Sequence, residues 1–264
     1  MTGKEIRMGR LFSNGRPVIV AADHGSYMGP FKGIDELPKQ VHAFRKADAF
    51  LVMPGMARQC KDFFAKKDSP LCIVRVNYAT HYIKAYDYTM GYNERLVSVK
   101  HAVSLGADIV IVSLLFSGHD EPNTRNVTRF GEYIEEAQAL GVPVIGEYIP
   151  MGSIDTFSDN VDRLLLGTRA VAEFGADMIK TVFVDKFEQV AGTAGIPVFA
   201  LGGAKTSKPI DSFSAAASAV KKGAAGVVFG RNVICAQNPA AYLDLLIAVV
   251  KHGMDPAEAA KKYG

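Results

Sequence analysis

Short apolar runs alternate with amphipathic stretches of helical length along this chain, and the alternation occurs eight times. The apolar runs fall at residues 17–22, 49–54, 71–76, 108–114, 143–148, 177–184, 197–201 and 226–230. Each is too short for a helix and rich in β-branched residues, which predicts a buried strand. The stretches between them keep helical spacing. Phe130, Tyr133, Ile134, Ala137 and Leu140 share one face, and Val161, Leu164, Leu165, Thr168, Val171 and Ala172 share another. Leu243, Leu246, Ile247 and Val250 form a third, after the last strand. Asp255-Pro256-Ala257-Glu258 then opens a final helix, with an acidic cap, proline at the first helical position and a glutamate three residues on.

The same punctuation recurs before several strands: Leu105-Gly106-Ala107-Asp108, Leu140-Gly141-Val142-Pro143, Phe174-Gly175-Ala176-Asp177 and Lys222-Gly223-Ala224. Glycine there supplies the left-handed residue that ends a helix before the chain turns into a strand. Eight strand–helix units in 264 residues are the expected length of a (β/α)8 TIM barrel. The rival architecture, a doubly wound sheet, carries a glycine-rich turn after its first strand. That position holds Ala22-Asp23-His24-Gly25 instead. With no linker to divide it, the chain is expected to form a single barrel domain over residues 1–264.

Composition narrows the function classes. The net charge is +3, and the basic residues are scattered rather than clustered, which argues against nucleic acid as a partner. Three widely spaced cysteines make neither a CxxC pair nor a disulfide framework, which fits a reducing, cytoplasmic setting. Cys72 lies in an apolar run and is expected in the core. The first residues are polar rather than a signal segment, and no apolar stretch is long enough to span a membrane.

One residue does not fit the pattern of the strands. Within Ala176-Asp177-Met178-Ile179-Lys180-Thr181-Val182-Phe183-Val184 sits a lysine, a residue type almost never buried without a partner. It is either a snorkelling lysine at a strand exit or a nucleophile for a carbonyl. At an ordinary pKa of about 10.4, only a few parts in ten thousand of a lysine are neutral at pH 7. A reactive Lys180 is therefore expected among hydrocarbon side chains and beside other cations, which favour the neutral amine.

Barrel chemistry sits where strands end. The first strand ends in Asp23 and His24; Asp23 is placed to orient or protonate substrate groups or to hold the Lys180 amine, and His24 is a possible substrate contact. The fifth ends Gly146-Glu147-Tyr148. Alternation forbids Glu147 and Tyr148 from both facing inward, and Tyr148 is taken as the acid/base. The seventh runs into Gly202-Gly203-Ala204-Lys205 and the eighth into Gly230-Arg231-Asn232. Glycines let backbone N–H groups approach an anion, and loops after strands seven and eight are this fold's usual phosphate site. Gly202, Gly203, Lys205, Gly230 and Arg231 are the candidates. The loop at 77–93 carries Tyr78, Tyr82, Tyr86, Tyr88 and Tyr92, and is either a lid or a subunit contact. Ser117-Gly118-His119-Asp120-Glu121, with His24 and Asp23, contains metal-ligand types, but the spacing matches no zinc or iron pattern.

These motifs carry a resemblance. Ala22-Asp23-His24-Gly25 with Gly29-Pro30, Ile179-Lys180-Thr181, Gly202-Gly203 with Lys205, and Gly226-Val227-Val228-Phe229-Gly230-Arg231-Asn232 stand in order across nearly the whole chain. In this the chain resembles the class I, Schiff-base aldolases of the archaeal-type fructose-bisphosphate aldolase family. That family also includes the autoinducer-2 phosphate thiolase and aminodideoxyheptulosonate synthase. The resemblance implies Lys180 as the Schiff-base lysine, Asp23 as its assistant, Gly202, Gly203, Gly230 and Arg231 as phosphate ligands, and a homo-oligomer. The stretch 179–186 is most similar to the thiolase branch. Tyr148 is similar in position to the acid/base tyrosine of the other two branches. Their usual Tyr-Pro-Arg-Gly is here Tyr148-Ile149-Pro150-Met151-Gly152, without the arginine and with one residue inserted.

The function expected is a cofactor-free carbon–carbon lyase acting on a phosphorylated ketose through Lys180. Two alternatives stand beside it: acyl transfer from a phosphorylated diketone to coenzyme A by the same lysine, and a metal-dependent lyase or isomerase.

Overall fold

The computed structural model describes residues 2–83, 90–150 and 161–264. Eight parallel strands close into a barrel in the order β1 (Val18–Ala21), β10 (Gly226–Phe229), β9 (Val198–Leu201), β8 (Met178–Val182), β7 (Val144–Tyr148), β6 (Ile109–Leu114), β3 (Leu71–Arg75) and β2 (Ala49–Val52), and β2 pairs back onto β1. The expected barrel is therefore observed, and each strand falls within its expected run. Gly106, Gly141, Gly175 and Gly223 all adopt positive φ, at 93°, 63°, 97° and 93°. The helix-ending reading of those four glycines holds.

Alternation along each strand splits the core in two. Ile19, Leu51, Ile73, Ile111, Ile145 and Met178 pack inside the barrel, while the residues between them, such as Val20, Val74 and Ile179, pack against the surrounding helices. The bottom of the lumen is closed by an element the periodicity does not announce, helix α1 (Thr2–Phe12). Leu11 is fully buried there, and Phe12 stacks on Phe199 of β9 with centroids 6.0 Å apart.

The aspartates that stand just before three of the strands have a structural task. Asp48, Asp108 and Asp177 each precede a strand and accept from a backbone N–H of the neighbouring one: Val18 at 2.7 Å, Cys72 at 2.9 Å and Val144 at 2.8 Å. Each also pairs with a cation, respectively Lys251 at 2.7 Å, Arg10 at 3.0 Å and Lys4 at 2.9 Å. A one-residue slip of any of these strands would break these bonds and turn its lumen set outward.

The 77–93 region is not wholly a loop. β4 (Asn77–Ala79) and β5 (Asn93–Arg95) form an antiparallel hairpin above β3, and the turn Thr80–Tyr82 follows β4. Tyr86 and Tyr88 lie outside the described residues. Among the described residues, no helix is long and apolar enough to cross a membrane.

Candidate active site

The lumen parity of the strands decides which side chains meet at the barrel mouth. On β8, Met178 faces the lumen, so Lys180 two residues on does as well. On β7 and β6 the same count places Glu147 after Ile145 and Ser113 after Ile111; on β3 it places Arg75 after Ile73, and past β1 it places Asp23 after Ala21. Strand register then sets Glu147 opposite Lys180 and Ser113 opposite Glu147. The apolar layers of the lumen are thus capped by one polar layer at the C-terminal end.

The layer is continuous. Lys180 Nζ lies 2.6 Å from Glu147 Oε1. Arg75 is the hub: its Nε donates to Asp23 Oδ2 at 2.6 Å, one terminal nitrogen to Glu147 Oε2 at 2.8 Å, and the other to Ser113 Oγ at 3.0 Å. Tyr82, brought in by the turn after β4, donates to Glu147 Oε2 at 2.6 Å. The hairpin that carries it is pinned by asparagines. Asn77 Nδ2 donates to Asn93 Oδ1 at 2.7 Å, and Asn93 Nδ2 donates to the Ser113 carbonyl at 2.6 Å.

Burial and charge set the protonation states. Burial alone would raise both carboxyls, but Arg75 and then Lys180 outweigh it and hold Asp23 and Glu147 below the usual carboxylate range. Burial lowers His24 to about 4 against the opposing pull of Asp23, so the imidazole is neutral at pH 7. Burial also pushes the Tyr27 and Tyr82 phenols well above their ordinary value.

Three buried polar atoms beside this layer have no hydrogen-bond partner among the described residues: Asp23 Oδ1, His24 Nδ1 and Arg231 Nε. The first two are 3.7 Å apart, too far for a hydrogen bond to each other. His24 in turn sits against Gly230, where an added Cβ would lie 2.2 Å from the imidazole Cε1. Arg231 donates to the Gly203 carbonyl at 3.0 Å, and Asn232 Nδ2 donates to the Gly202 and Ala204 carbonyls at 3.1 and 3.0 Å. The turns after β9 and β10 are thereby laced together next to His24. Gly203 is left-handed, with φ 65°. An added Cβ at Gly202 would come within 2.7 Å of the Phe229 ring, so packing by itself demands glycine there and at Gly230.

Three expectations are corrected. Tyr148 does not enter the mouth. As the neighbour of Glu147 it faces the other way, 3% exposed in the shell core, with its ring against Gly167 and Phe116. Burial pushes its phenol up to about 12. Lys180 is not left among hydrocarbon alone: its immediate partner is a carboxylate, with Glu147 rather than Asp23 holding the amine, and Arg75 on the other oxygen of Glu147 is the expected neighbouring cation. Lys205 is exposed and donates to the Cys235 carbonyl at 3.2 Å. Of the stretch with metal-ligand residue types, Asp120 and Glu121 begin the helix Asp120–Leu140, and Glu121 accepts from Tyr92 at 2.7 Å. Met151 and Gly152 lie outside the described residues.

Arg75, Glu147, Ser113 and Tyr82 were not among the expected site residues. Period-two counting leaves Glu147 and Tyr148 as alternatives on one strand, but Arg75 and Ser113 carry a signal that it reads. Each is a polar residue at lumen parity near the end of an apolar strand, the same anomaly that marks Lys180. Tyr82 carries no such signal, because its arrival depends on the hairpin.

A lysine, two carboxylates and a guanidinium at the C-terminal mouth of a closed eight-stranded barrel define an enzyme site of the (β/α)8 class. The chain belongs to the DeoC/LacD family of aldolases, whose family model matches residues 17–236. It is 34% identical to an uncharacterised aldolase of Saccharolobus solfataricus, over 99% of both chains. It is 32% identical to the 2-amino-3,7-dideoxy-D-threo-hept-6-ulosonate synthase 1 of Archaeoglobus fulgidus, over 100% of this chain and 96% of the synthase. In three dimensions it superposes on an archaeal fructose 1,6-bisphosphate aldolase with a TM-score of 0.81, covering 95% of this chain and 100% of that one at 23% identity, a likeness of fold.

Proposed function

We propose that the protein is a class I carbon–carbon lyase that cleaves or forms a bond in a phosphorylated ketose through a Schiff base on Lys180. The observation that carries the reading is a buried amine on an interior strand at the catalytic end of the barrel, 7% exposed and facing the lumen. Membership of an aldolase family supports it, as do relatives whose names describe sugar chemistry.

The amine attacks the substrate's keto carbon, and loss of water leaves a protonated iminium, an electron sink. A base then takes the proton of the hydroxyl on the β carbon. The O–H electron pair becomes the aldehyde C=O, the Cα–Cβ pair becomes the C=C of an enamine, and the iminium nitrogen is neutralised. Protonation at Cα and hydrolysis of the iminium return the lysine and a ketone. Asp23 is the group for the proton step, since its Oδ1 is buried, ionised and without a hydrogen-bond partner among the described residues. Tyr148, behind the sheet, is not. Substrate phosphate lies against Gly202, Gly203, Gly230 and Arg231, with His24 between it and Asp23. Lys205 serves only at the rim. A cytoplasmic homo-oligomer completes the reading.

The test is reduction with borohydride in the presence of a panel of phosphorylated ketoses, followed by peptide mass measurement. A stable adduct on Lys180, absent from Lys180→Met, is expected. Turnover of the trapped ketose by Lys180→Met, or the lack of any adduct across the panel, would overturn the proposal. Product formation that requires coenzyme A would replace bond cleavage by acyl transfer.

A further inference from the structure

We infer that Glu147 carries protons between the Lys180 nitrogen and the substrate's carbonyl oxygen while the Schiff base forms and hydrolyses. The inference rests on the covalent role of Lys180 proposed above and adds a third catalytic residue to Lys180 and Asp23.

The stoichiometry of the step requires such a group. An ammonium and a ketone become a protonated iminium and water, with one positive charge on each side. The nitrogen gives up two protons, and both end on the former carbonyl oxygen. First the N–C bond forms as the carbonyl π pair moves to oxygen, which takes one proton and gives a carbinolamine. Then the C–O bond breaks with a second proton on oxygen, and the nitrogen lone pair closes the C=N bond. A carboxylate that accepts from nitrogen and donates to oxygen, once in each stage, ends unchanged.

Glu147 is built for this. Its Oε1 lies 2.6 Å from Lys180 Nζ, within the range of a charge-assisted hydrogen bond. Its Oε2 accepts from three donors: Arg75 at 2.8 Å, Tyr82 at 2.6 Å and Ser113 at 2.9 Å. One oxygen is anchored and the other faces the amine. Lys180 is also one of the charges that hold the Glu147 carboxyl low. Transfer of the first proton removes that charge, so Glu147 becomes a better acceptor as the proton crosses. Asp23, the other buried carboxylate among the described residues, is bonded through Oδ2 to Arg75 and has Oδ1 toward His24. The Tyr148 phenol is on the far face of the sheet. The carboxylate bonded to the amine is Glu147.

The experiment follows trapping of dihydroxyacetone phosphate on Lys180 by cyanoborohydride, in the native protein, Glu147→Gln and Glu147→Asp. In parallel, Lys180 is arylated with trinitrobenzenesulfonate, whose sulfite leaves without needing a proton. Loss of the relay is expected to slow trapping in Glu147→Gln by about 100- to 10 000-fold, the usual worth of a positioned acid–base group. Arylation should remain within a few-fold of native. In Glu147→Asp, with the carboxylate withdrawn by one methylene, trapping should fall at least tenfold with arylation again unchanged. This variant decides the matter if Glu147→Gln does not fold. Native-like trapping in either variant overturns the relay. Equal slowing of both reactions also overturns it, because Glu147 would then only position the amine. A native protein that gives no adduct with this ketose or any other of the panel defeats the Schiff-base reading itself, a different result from a native adduct that survives the loss of Glu147.

Discussion

Replacing Arg75 with methionine tests whether the polar layer is a compensated charge network. Arg75 is 4% exposed and is the cation bonded directly to Asp23, at 2.6 Å, while Glu147 keeps Lys180 when the guanidinium goes. The cost therefore falls mainly on Asp23, left buried without its partner. Removing one member of a buried ion pair costs about 3–5 kcal/mol. At roughly 2 °C per kcal/mol for a chain of this size, the melting temperature should fall by about 6–10 °C.

The pH dependence gives a second check. In the native protein the folded Asp23 value lies below the ordinary one. Its contribution is present above the unfolded pKa of about 3.9 and is lost as pH falls through the lower folded value. In Arg75→Met, burial is no longer offset by its strongest opponent, and the carboxyl shifts upward. The penalty is then full near neutrality and shrinks as acid protonates Asp23. Urea unfolding at pH 7.5 and 5.0 should show a stability gap between variant and native that narrows on acidification. A melting temperature within 2 °C of native, or a gap that widens in acid, would refute the reasoning.

Tyr148→Phe should keep catalytic activity within about threefold, because the phenol does not reach the mouth. Tyr148→Ala should cost about 3–5 kcal/mol in urea unfolding, from the cavity left in the shell core. A hundredfold loss of kcat in Tyr148→Phe, with the fold intact, would return the acid/base role to the phenol. Gly230→Ala places a methyl 2.2 Å from His24 Cε1 and 2.8 Å from the Ala21 carbonyl. It should displace the imidazole and raise KM about tenfold or more, read from initial rates against substrate concentration. An unchanged KM would remove His24 from the substrate site.

Much of the site was legible, and the misses share one cause. Lys180 and Asp23 stand out because a charged residue in or just past an apolar strand is a local anomaly. Arg75 is the same kind of anomaly at the end of Leu71–Arg75 and is readable by the same rule. The choice between Glu147 and Tyr148 was of another kind. Period two says that they face opposite ways, but not which of them faces in. The strand's phase is settled by Ile145 packing into the lumen and by the β7–β8 register that sets Glu147 beside Lys180. In the sequence, the glycines at 202 and 230 suggest room for phosphate. The structure shows that the Phe229 ring and the His24 imidazole already occupy the space a side chain would need.

From the order of its residues alone, this protein had its eight strand–helix units, its left-handed helix ends and its buried lysine, since each depends on neighbours a few positions apart. Barrel closure decided the rest. It brought Asp23, Arg75, Glu147 and Lys180 into one bonded network whose direct pairs lie up to 72 residues apart, turned Tyr148 outward and let Tyr82 reach Glu147. Contacts of that kind are set by register and closure rather than by local preference, and no period along the chain encodes them.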